Sequence, residues 1–295
     1  MSQPRTERRR AVGVVTVLGS ALSNQTGAAV GALAFPLIGP VGVVVVRQFV
    51  AAVVLLTWAR PKFWRFTRQQ WWPVLLLAVV FATMNLTLYF SIERIGLGLA
   101  VTLEFLGPLA IALIGSRSRG AVLCAVGAAL GVVAITRPEA TTDYLGVGLA
   151  LTAACCWATY ILVNQTVSRR IPGVQGTATA TALSATGYLP VGIVLFTTNP
   201  PSLFAIVCAV GTGVLASAVP YAADAMALRH LPAQLFGVLM SINPIFAALV
   251  GLVLLGESLG WLEWIGVTLI VVANAAALTL RSPQLVEEPV SAPVS

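Results

Sequence analysis

Three ionisable side chains lie well inside apolar segments of the sequence: Arg47, Glu104 and Asp224. Glu104 occupies the middle of the run LAVTLEFLGPLAIAL, residues 99–113, with apolar residues for two turns on either side. An ionisable group at the centre of a membrane-spanning helix costs roughly 2.5–3.5 kcal/mol on insertion scales, so it normally lines a cavity or has a partner. Pro108 removes the backbone donor for the Glu104 carbonyl. The run therefore predicts a polar site at a helix break, surrounded by protein or a water-filled cavity.

Glu104 is the residue that we expect to carry a coupling proton. Burial favours the neutral acid, whereas a nearby arginine favours the carboxylate, so a group balanced between the two can change its protonation. The competing interpretation is a structural kink at which a neighbouring helix holds Glu104. Asp224 is the second candidate for the proton, although it lies nearer the end of its helix, where water can reach it.

Two interpretations of Arg47 stay open. It is either a permanent partner of Glu104 or Asp224, which lowers the cost of burying the charges, or it binds the carboxylate of a substrate. A planar guanidinium favours the second use because it can bind a carboxylate through two parallel hydrogen bonds.

Uncharged residues complete the candidate substrate- or proton-binding set, namely Asn85, Tyr89, Trp157, Tyr160 and Asn243. Packing between helices explains the aromatic residues equally well, and hydrogen bonds between helices explain the asparagines. Asn243 is favoured as functional because it precedes a proline. The predicted helix breaks are Pro108, Pro220 and Pro244. Glu257, after the ninth apolar segment, is expected to be a solvated helix end.

No cofactor, metal site or catalytic residue is predicted. The four cysteines lie inside apolar runs without ligand spacing, which is typical of small buried side chains. The single histidine, His230, falls in a loop, and no glycine-rich phosphate loop is present. An intramembrane enzyme that uses Glu104 and Asp224 is the rival class of function.

The composition indicates an all-α membrane protein. Hydrophobic residues make up 58% of the chain and charged residues 9%, against roughly 25% charged residues in soluble proteins. The pattern predicts ten spans, at about residues 11–34, 40–58, 73–92, 99–115, 120–136, 144–167, 177–196, 203–228, 232–256 and 261–280. The net charge of +7 comes from arginines between spans, so membrane lipid rather than nucleic acid is the expected surrounding.

The distribution of basic residues predicts the orientation. Fourteen of the 17 lysines and arginines lie at the two termini or in the loops after the second, fourth, sixth and eighth spans. The positive-inside rule therefore places both termini on the cytoplasmic side. The expected location is the cell membrane, that is, the plasma or inner membrane.

The two halves of the chain correspond to each other. A shift of 136 residues aligns Pro108 with Pro244, together with several leucines, alanines and glycines. Because each half has five spans, a duplicated half enters the membrane in the opposite direction. We expect a basic tail (1–10), a first repeat (11–137), an inverted second repeat (143–281) and a disordered tail (282–295). Inverted repeats with broken helices are how many secondary transporters build a site at the membrane midplane.

The sequence resembles the drug/metabolite transporter superfamily, in its ten-span EamA-type group and its threonine/homoserine exporter branch. The matching segments are TLEFLGPLAIAL (102–113), CCWATYIL (155–162), VPYAADAMALRHLP (219–232), FGVLMSINP (236–244) and LLGESL (254–259), with Met84-Asn85. The likeness extends in order from the second span to the tenth.

The resemblance implies two inverted five-helix repeats around a central pathway, with alternating access and efflux of small neutral amino acids, which the Glu104 analysis extends to proton antiport. Such exporters commonly have an acidic residue where this chain has Asn243 and a lysine late in span one, where this chain has small residues near Ala32. Both departures bear on the substrate, so a carrier for another metabolite or drug is the alternative. A homodimer through the small-residue faces of spans five and ten, such as Gly127-x-x-x-Gly131, is also considered.

Overall fold

The structure, a computed structural model, describes residues 3–113, 119–136, 143–172, 174–220, 223 and 239–280. Every regular element in these residues is helical. The elements are α1 (Gln3–Ala32), α2 (Phe35–Ala59), a 3₁₀ turn (Phe63–Arg65), α3 (Arg68–Ile95), α4 (Leu97–Glu104), α5 (Leu106–Leu113), α6 (Arg119–Thr136), α7 (Tyr144–Arg170), α8 (Gln175–Thr198), α9 (Leu203–Gly213) with a π-helical continuation (Val214–Ala218), α10 (Asn243–Val250) with a second continuation (Gly251–Leu255), and α11 (Trp261–Leu280).

Many of these helices are apolar, as membrane-spanning helices are. Five are long and apolar enough to cross it by length and composition, at residues 35–59, 68–95, 144–167, 175–198 and 261–279. Shorter apolar helical stretches cover residues 97–111, 119–135, 203–218 and 243–255. Helix α1, which carries the polar run SNQT at residues 23–26, is not among the five. These elements confirm the predicted all-α membrane protein.

Two predicted span boundaries differ from the helices. Helix α1 begins at Gln3 rather than near Ala11, because the intervening arginines are good helix formers and continue the helix. Helix α2 begins at Phe35, five residues before the predicted start at Pro40. Gly39, at φ 66° and ψ 168°, leaves the helical region just before Pro40, so the predicted start is a kink within a longer helix.

The neighbours of each helix match in pairs, as an inverted repeat predicts. Helices α2 and α8 contact each other, as do α6 and α11, and α4 and α10. Helix α3 contacts α7, and the corresponding helices α9 and α1 also contact each other. Likewise α4 contacts α7, and the corresponding helices α10 and α1 contact each other. Each of these counterparts is obtained by moving both helices five spans along the chain, which is the pattern of contacts that the expected inverted repeat would give.

Glycines bring pairs of these helices close together. A Cβ atom at Gly131 of α6 would lie 2.9 Å from the Gly266 carbonyl oxygen of α11, and one at Gly266 would lie 2.6 Å from the Gly131 oxygen. The small-residue faces of spans five and ten, which were considered for a dimer, are therefore used at Gly131 for packing within the chain. Gly127 has no atom within 4 Å of an added Cβ.

Loops that were predicted to share a side of the membrane lie together. At one end, Arg94 in the last turn of α3 pairs with Asp143, just before α7 (Nη1 to Oδ2, 3.0 Å). Asp143 also accepts from the Gly146 N–H (2.8 Å), and this bond together with Arg94 holds the pKa of its carboxyl below the usual range. At the other end, Gln70 donates to the Arg170 carbonyl (2.7 Å). Alternating spans require this grouping.

Candidate functional site

Glu104 lies at a helix interruption, as predicted. Helix α4 ends at Glu104, and α5 follows after a break at Phe105, three residues before Pro108. The Glu104 side chain is 5% exposed. Among the residues that the structure describes, it has no hydrogen-bond partner and no ion pair within 4 Å. Within the described residues, this buried carboxyl group therefore has no direct hydrogen-bond or ion-pair partner to offset the cost of its burial.

The matching break occurs in the second half of the chain. Residues 241 and 242 form a turn, and α10 begins at Asn243 with Pro244 in its first turn. The shift of 136 residues that aligns the prolines also aligns Ser241 with Phe105. The two interruptions, at Phe105 and at residues 241 and 242, therefore lie at the same register.

Arg47 of α2 is half-buried and lies over the ring of Tyr89 on α3, with its guanidinium carbon 5.2 Å from the ring centroid. It attracts Glu104 electrostatically but does not form the direct ion pair that was considered. Tyr89 is fully buried, and its hydroxyl has no partner in hydrogen-bonding geometry within the described residues, although the guanidinium is close enough to interact with it. Arg47 and Glu104 therefore interact electrostatically without a direct ion pair.

Aromatic residues surround this pair of charges. The Phe105 ring, at the helix break, packs edge-to-face on Trp157 of α7 with centroids 4.7 Å apart, a favoured arrangement. Tyr89, Phe105 and Trp157 belong to one apolar cluster that also contains residues of α1, α2, α8, α9 and α10. The cluster unites both halves of the chain at the site.

Pro220 explains how Arg47 is held. A proline has no N–H, so the carbonyls four and five residues earlier, Ala216 and Leu215, lose the donor that a helix would supply. Arg47 Nη2 donates to the Ala216 carbonyl at 3.3 Å, and Ser23 Oγ of α1 donates to the Leu215 carbonyl at 2.8 Å. A π-helical turn, Val214–Ala218, precedes Pro220, and the helix continues to Pro220 itself.

Asn243 likewise donates a hydrogen bond to a backbone carbonyl at the second break. Its side-chain Nδ2 donates to the Met240 carbonyl at 2.7 Å, the carbonyl that Pro244 deprives of its helical donor. Gln25 of α1 in turn donates to Asn243 Oδ1 at 2.9 Å. Both amide side chains are buried, Asn243 at 1% exposure and Gln25 at 2%. Asn243 therefore faces protein rather than lipid.

Two further predicted residues, Asn85 and Tyr160, have contacts outside this group. Asn85 is buried, but its amide donates to the Phe81 carbonyl of its own helix and does not bridge to another. Tyr160 packs on Phe81 in a separate cluster of α3, α7 and α8. Asp224 lies outside the described residues.

An apolar groove of about 530 Å³ lies between α3 and α8 and contains none of the predicted site residues. Its wall includes Leu75, Val79 and Val191, which are exposed on the outside of the bundle. Such a surface fits lipid chains, whereas a polar substrate requires the charged group around Glu104.

Three residues at or near the breaks were not predicted to act there. Gln25 stood out only as part of a polar patch in span one, and Phe105 only as the residue after Glu104. Glu257 was expected to be solvated, and this was wrong: its side chain is half-buried and accepts hydrogen bonds from the Leu97 N–H. A carboxylate can accept hydrogen bonds from the free N–H groups in the first turn of a helix that is far away in the sequence. No local sequence pattern reveals such a pairing.

Known proteins resemble this chain over nearly its whole length. The model of the EamA-like transporter family matches residues 144–279. The threonine/homoserine exporter RhtA of Salmonella typhimurium strain LT2 is 33% identical over 277 residues, covering 92% of this chain and 94% of the relative. RhtA of Escherichia coli strain K12 is 33% identical over 279 residues, covering 93% and 94%.

A solved protein crystal structure has the same fold, with a TM-score of 0.61 at 19% identity, covering 95% of this chain and 99% of the other. The second break, its asparagine and the π-helical turn after α10 all fall inside the segment that the family model matches. The resemblance found in the sequence is thus confirmed, and it favours a transporter over the intramembrane enzyme. This chain belongs to the EamA-like transporter family, within the drug/metabolite transporter superfamily.

Proposed function

We propose that this protein exports small neutral amino acids, threonine and homoserine among them, in exchange for protons. Two relatives carry the name threonine/homoserine exporter, and each aligns with this chain over 94% of its own length. The observation that carries the proposal is Glu104, a carboxyl group buried at a helix break beside Arg47 without forming an ion pair. A group in this situation can exchange a proton for a cationic ligand.

The two charges fit the two ends of a zwitterion. Arg47 makes one long hydrogen bond of 3.3 Å to a carbonyl, so it retains donors for an α-carboxylate. Glu104, when ionised, can accept the α-ammonium group. The aromatic residues Tyr89, Phe105 and Trp157 supply an apolar surround, and the charged side chains that the described residues contribute to this group are Arg47 and Glu104. Small neutral amino acids are the class that this arrangement suits.

Proton coupling follows if Glu104 binds either the substrate ammonium or a proton. Protonation from outside would favour one conformation, and substrate entering from the cytoplasm would favour the other, which is the differential affinity that coupling requires. The broken helices α4–α5 and α10 are the elements that we expect to move during alternating access. Asp224 is the second candidate for the proton.

The proposal includes the placement of the chain. We assign both termini to the cytoplasmic side of the cell membrane, from the positive-inside rule, and the inverted repeats to residues 11–137 and 143–281. Protons and membrane lipid are the expected partners besides the substrate.

Purified protein in liposomes tests the substrate. Liposomes loaded with one labelled amino acid at a time should release threonine and homoserine fastest under a pH gradient, and lysine and glutamate slowly. Arg47→Lys keeps the positive charge but loses the planar fork, so we expect a half-saturation concentration about tenfold higher for threonine. Equal release of charged and neutral amino acids, or wild-type affinity in Arg47→Lys, would contradict the assigned roles.

A further inference from the structure

Glu257 supplies the cap of a helix in the other half of the chain. It lies in the loop between α10 and α11, and both its carboxylate oxygens are 2.9 Å from the Leu97 N–H at the start of α4. The Gly98 N–H lies near enough to stabilise the carboxylate as well. The N-cap residue of α4 is Gly96, which has no side chain and cannot perform this task itself. A residue 160 positions away therefore satisfies the first turn of α4.

Glycines shape the space around the Glu257 carboxylate. Gly96 has a φ of +81°, and a Cβ there would lie 2.9 Å from the Glu257 carboxyl carbon. A Cβ at Gly251, in the continuation of α10, would collide with Glu257 Oε2. The Glu257 N–H donates to the Gly251 carbonyl at 3.1 Å. The carboxylate is thus enclosed by backbone from both halves of the chain.

The capped helix carries Glu104 at its opposite end. Helix α4 has eight residues, a length of about 12 Å, so the cap and Glu104 lie at the two ends of one short helix. It also packs closely on α10, since a Cβ at Gly98 would lie 2.9 Å from the Ala248 Cα. Separating α4 from α10 at this end would break the bonds of a carboxylate to a positively polarised helix terminus.

We propose that Glu257 is a positioning residue of the transport site: it clamps α4 to the second half of the chain and must release α4 before this end of the bundle opens. The distribution of arginines predicts that this end faces outward. The role of this clamp in opening the bundle rests on the proposed transport function. The experiments that test the clamp require no substrate.

Hydrogen exchange on the full-length protein in lipid nanodiscs tests the cap. The Leu97 and Gly98 amides should exchange faster in Glu257→Gln than in wild type, and faster still in Glu257→Ala. Glu263 at the same end lies in the first turn of α11 and accepts from the Gly260 N–H just before that helix, so Glu263→Gln is the matched control and should leave the exchange of Leu97 and Gly98 at the wild-type rate. Unchanged exchange in both Glu257 variants would overturn the cap.

Cys156 reports on opening, because it is half-buried on α7 and interacts electrostatically with Glu104. A membrane-impermeant maleimide added outside intact cells should label Cys156 about fivefold faster in Glu257→Gln than in wild type or Glu263→Gln. An unchanged rate at Cys156 would overturn the clamp.

A second cysteine separates a gate from a loosened fold. Cys124 is buried in a separate cluster near α11, and its labelling should stay at the wild-type rate. Equal acceleration at Cys124 would show that Glu257 only stabilises the fold. Failure of threonine release in wild-type liposomes would overturn the proposed substrate and leave both of these readouts valid.

Discussion

Glu104 and Arg47 attract each other without forming an ion pair, which leaves each able to bind another group. Replacing Glu104 by Gln keeps the shape and hydrogen bonding of the side chain but prevents its ionisation. We expect Glu104→Gln to fold and to lose efflux driven by a pH gradient by about tenfold or more, within the range usual for coupled sites. Exchange of internal for external threonine should persist.

The measurement compares net efflux and exchange of labelled threonine in liposomes, with Glu263→Gln as a charge-matched control outside the site. Undiminished pH-driven efflux by Glu104→Gln would show that the coupling proton binds elsewhere, with Asp224 as the next candidate.

The buried amide pair Gln25–Asn243 permits a second test at this scale. Hydrogen bonds between membrane helices average about 0.6 kcal/mol and reach about 1.7 kcal/mol. Gln25→Leu and Asn243→Leu should therefore show a coupling energy of roughly 1 kcal/mol in a double-mutant cycle, measured as the free energy of unfolding in mixed micelles. Gln25→Leu combined with Asn85→Leu is the control, because Asn85 bonds within its own helix. Equal coupling in both cycles would contradict the pairing.

Among the helices, the contact between α6 and α11 depends on how closely their backbones approach. An added methyl group at Gly131 would meet the Gly266 carbonyl, whereas Gly127, one turn earlier on the same helix, has open space. Gly131→Ala should lower the unfolding free energy by about 1–3 kcal/mol because of overpacking, and Gly127→Ala should leave it nearly unchanged or slightly raised. Equal effects of the two substitutions on thermal unfolding in detergent would disprove this packing.

The helix breaks could be predicted from the sequence because their cause is local. A proline removes the donor for a carbonyl one turn earlier, and the matched spacing of Pro108 and Pro244 is visible in the sequence. The residues that replace those donors could not be predicted in the same way. Arg47 serves a carbonyl on the π-helical turn after α9, 169 residues away, and Gln25 bonds an asparagine 218 residues away.

Glu257 illustrates the same limit. Its position after a span suggested a solvated helix end, since a local pattern shows only which side chains lie near a terminus. In the folded bundle Glu257 lies at the start of α4. The N-cap residue there, Gly96, has no side chain, so Glu257 accepts the hydrogen bond from the first turn instead. Fold class and breaks thus follow from periodicity and proline chemistry, whereas the partners at the site depend on tertiary packing.

For the whole molecule, the prediction is an alternating topology with both termini in the cytoplasm. Single cysteines at Arg65 and Arg169 should resist an impermeant thiol reagent added to intact cells, and a cysteine at Arg94 should react. The three positions are matched because each is an arginine near an end of the bundle: Arg65 closes the 3₁₀ turn between α2 and α3, and Arg94 and Arg169 lie in the last turns of α3 and α7. Reaction at Arg65 or Arg169 together with protection at Arg94 would reverse the assigned orientation.

Proton movement in liposomes tests the central claim most directly. Liposomes that contain the wild-type protein, an internal pH dye and concentrated threonine are diluted into threonine-free buffer at the same pH. If threonine leaves in exchange for protons through Glu104, the interior should acidify as threonine exits, and liposomes with Glu104→Gln should not acidify. Threonine efflux from wild-type liposomes without a change in internal pH would contradict proton-coupled export.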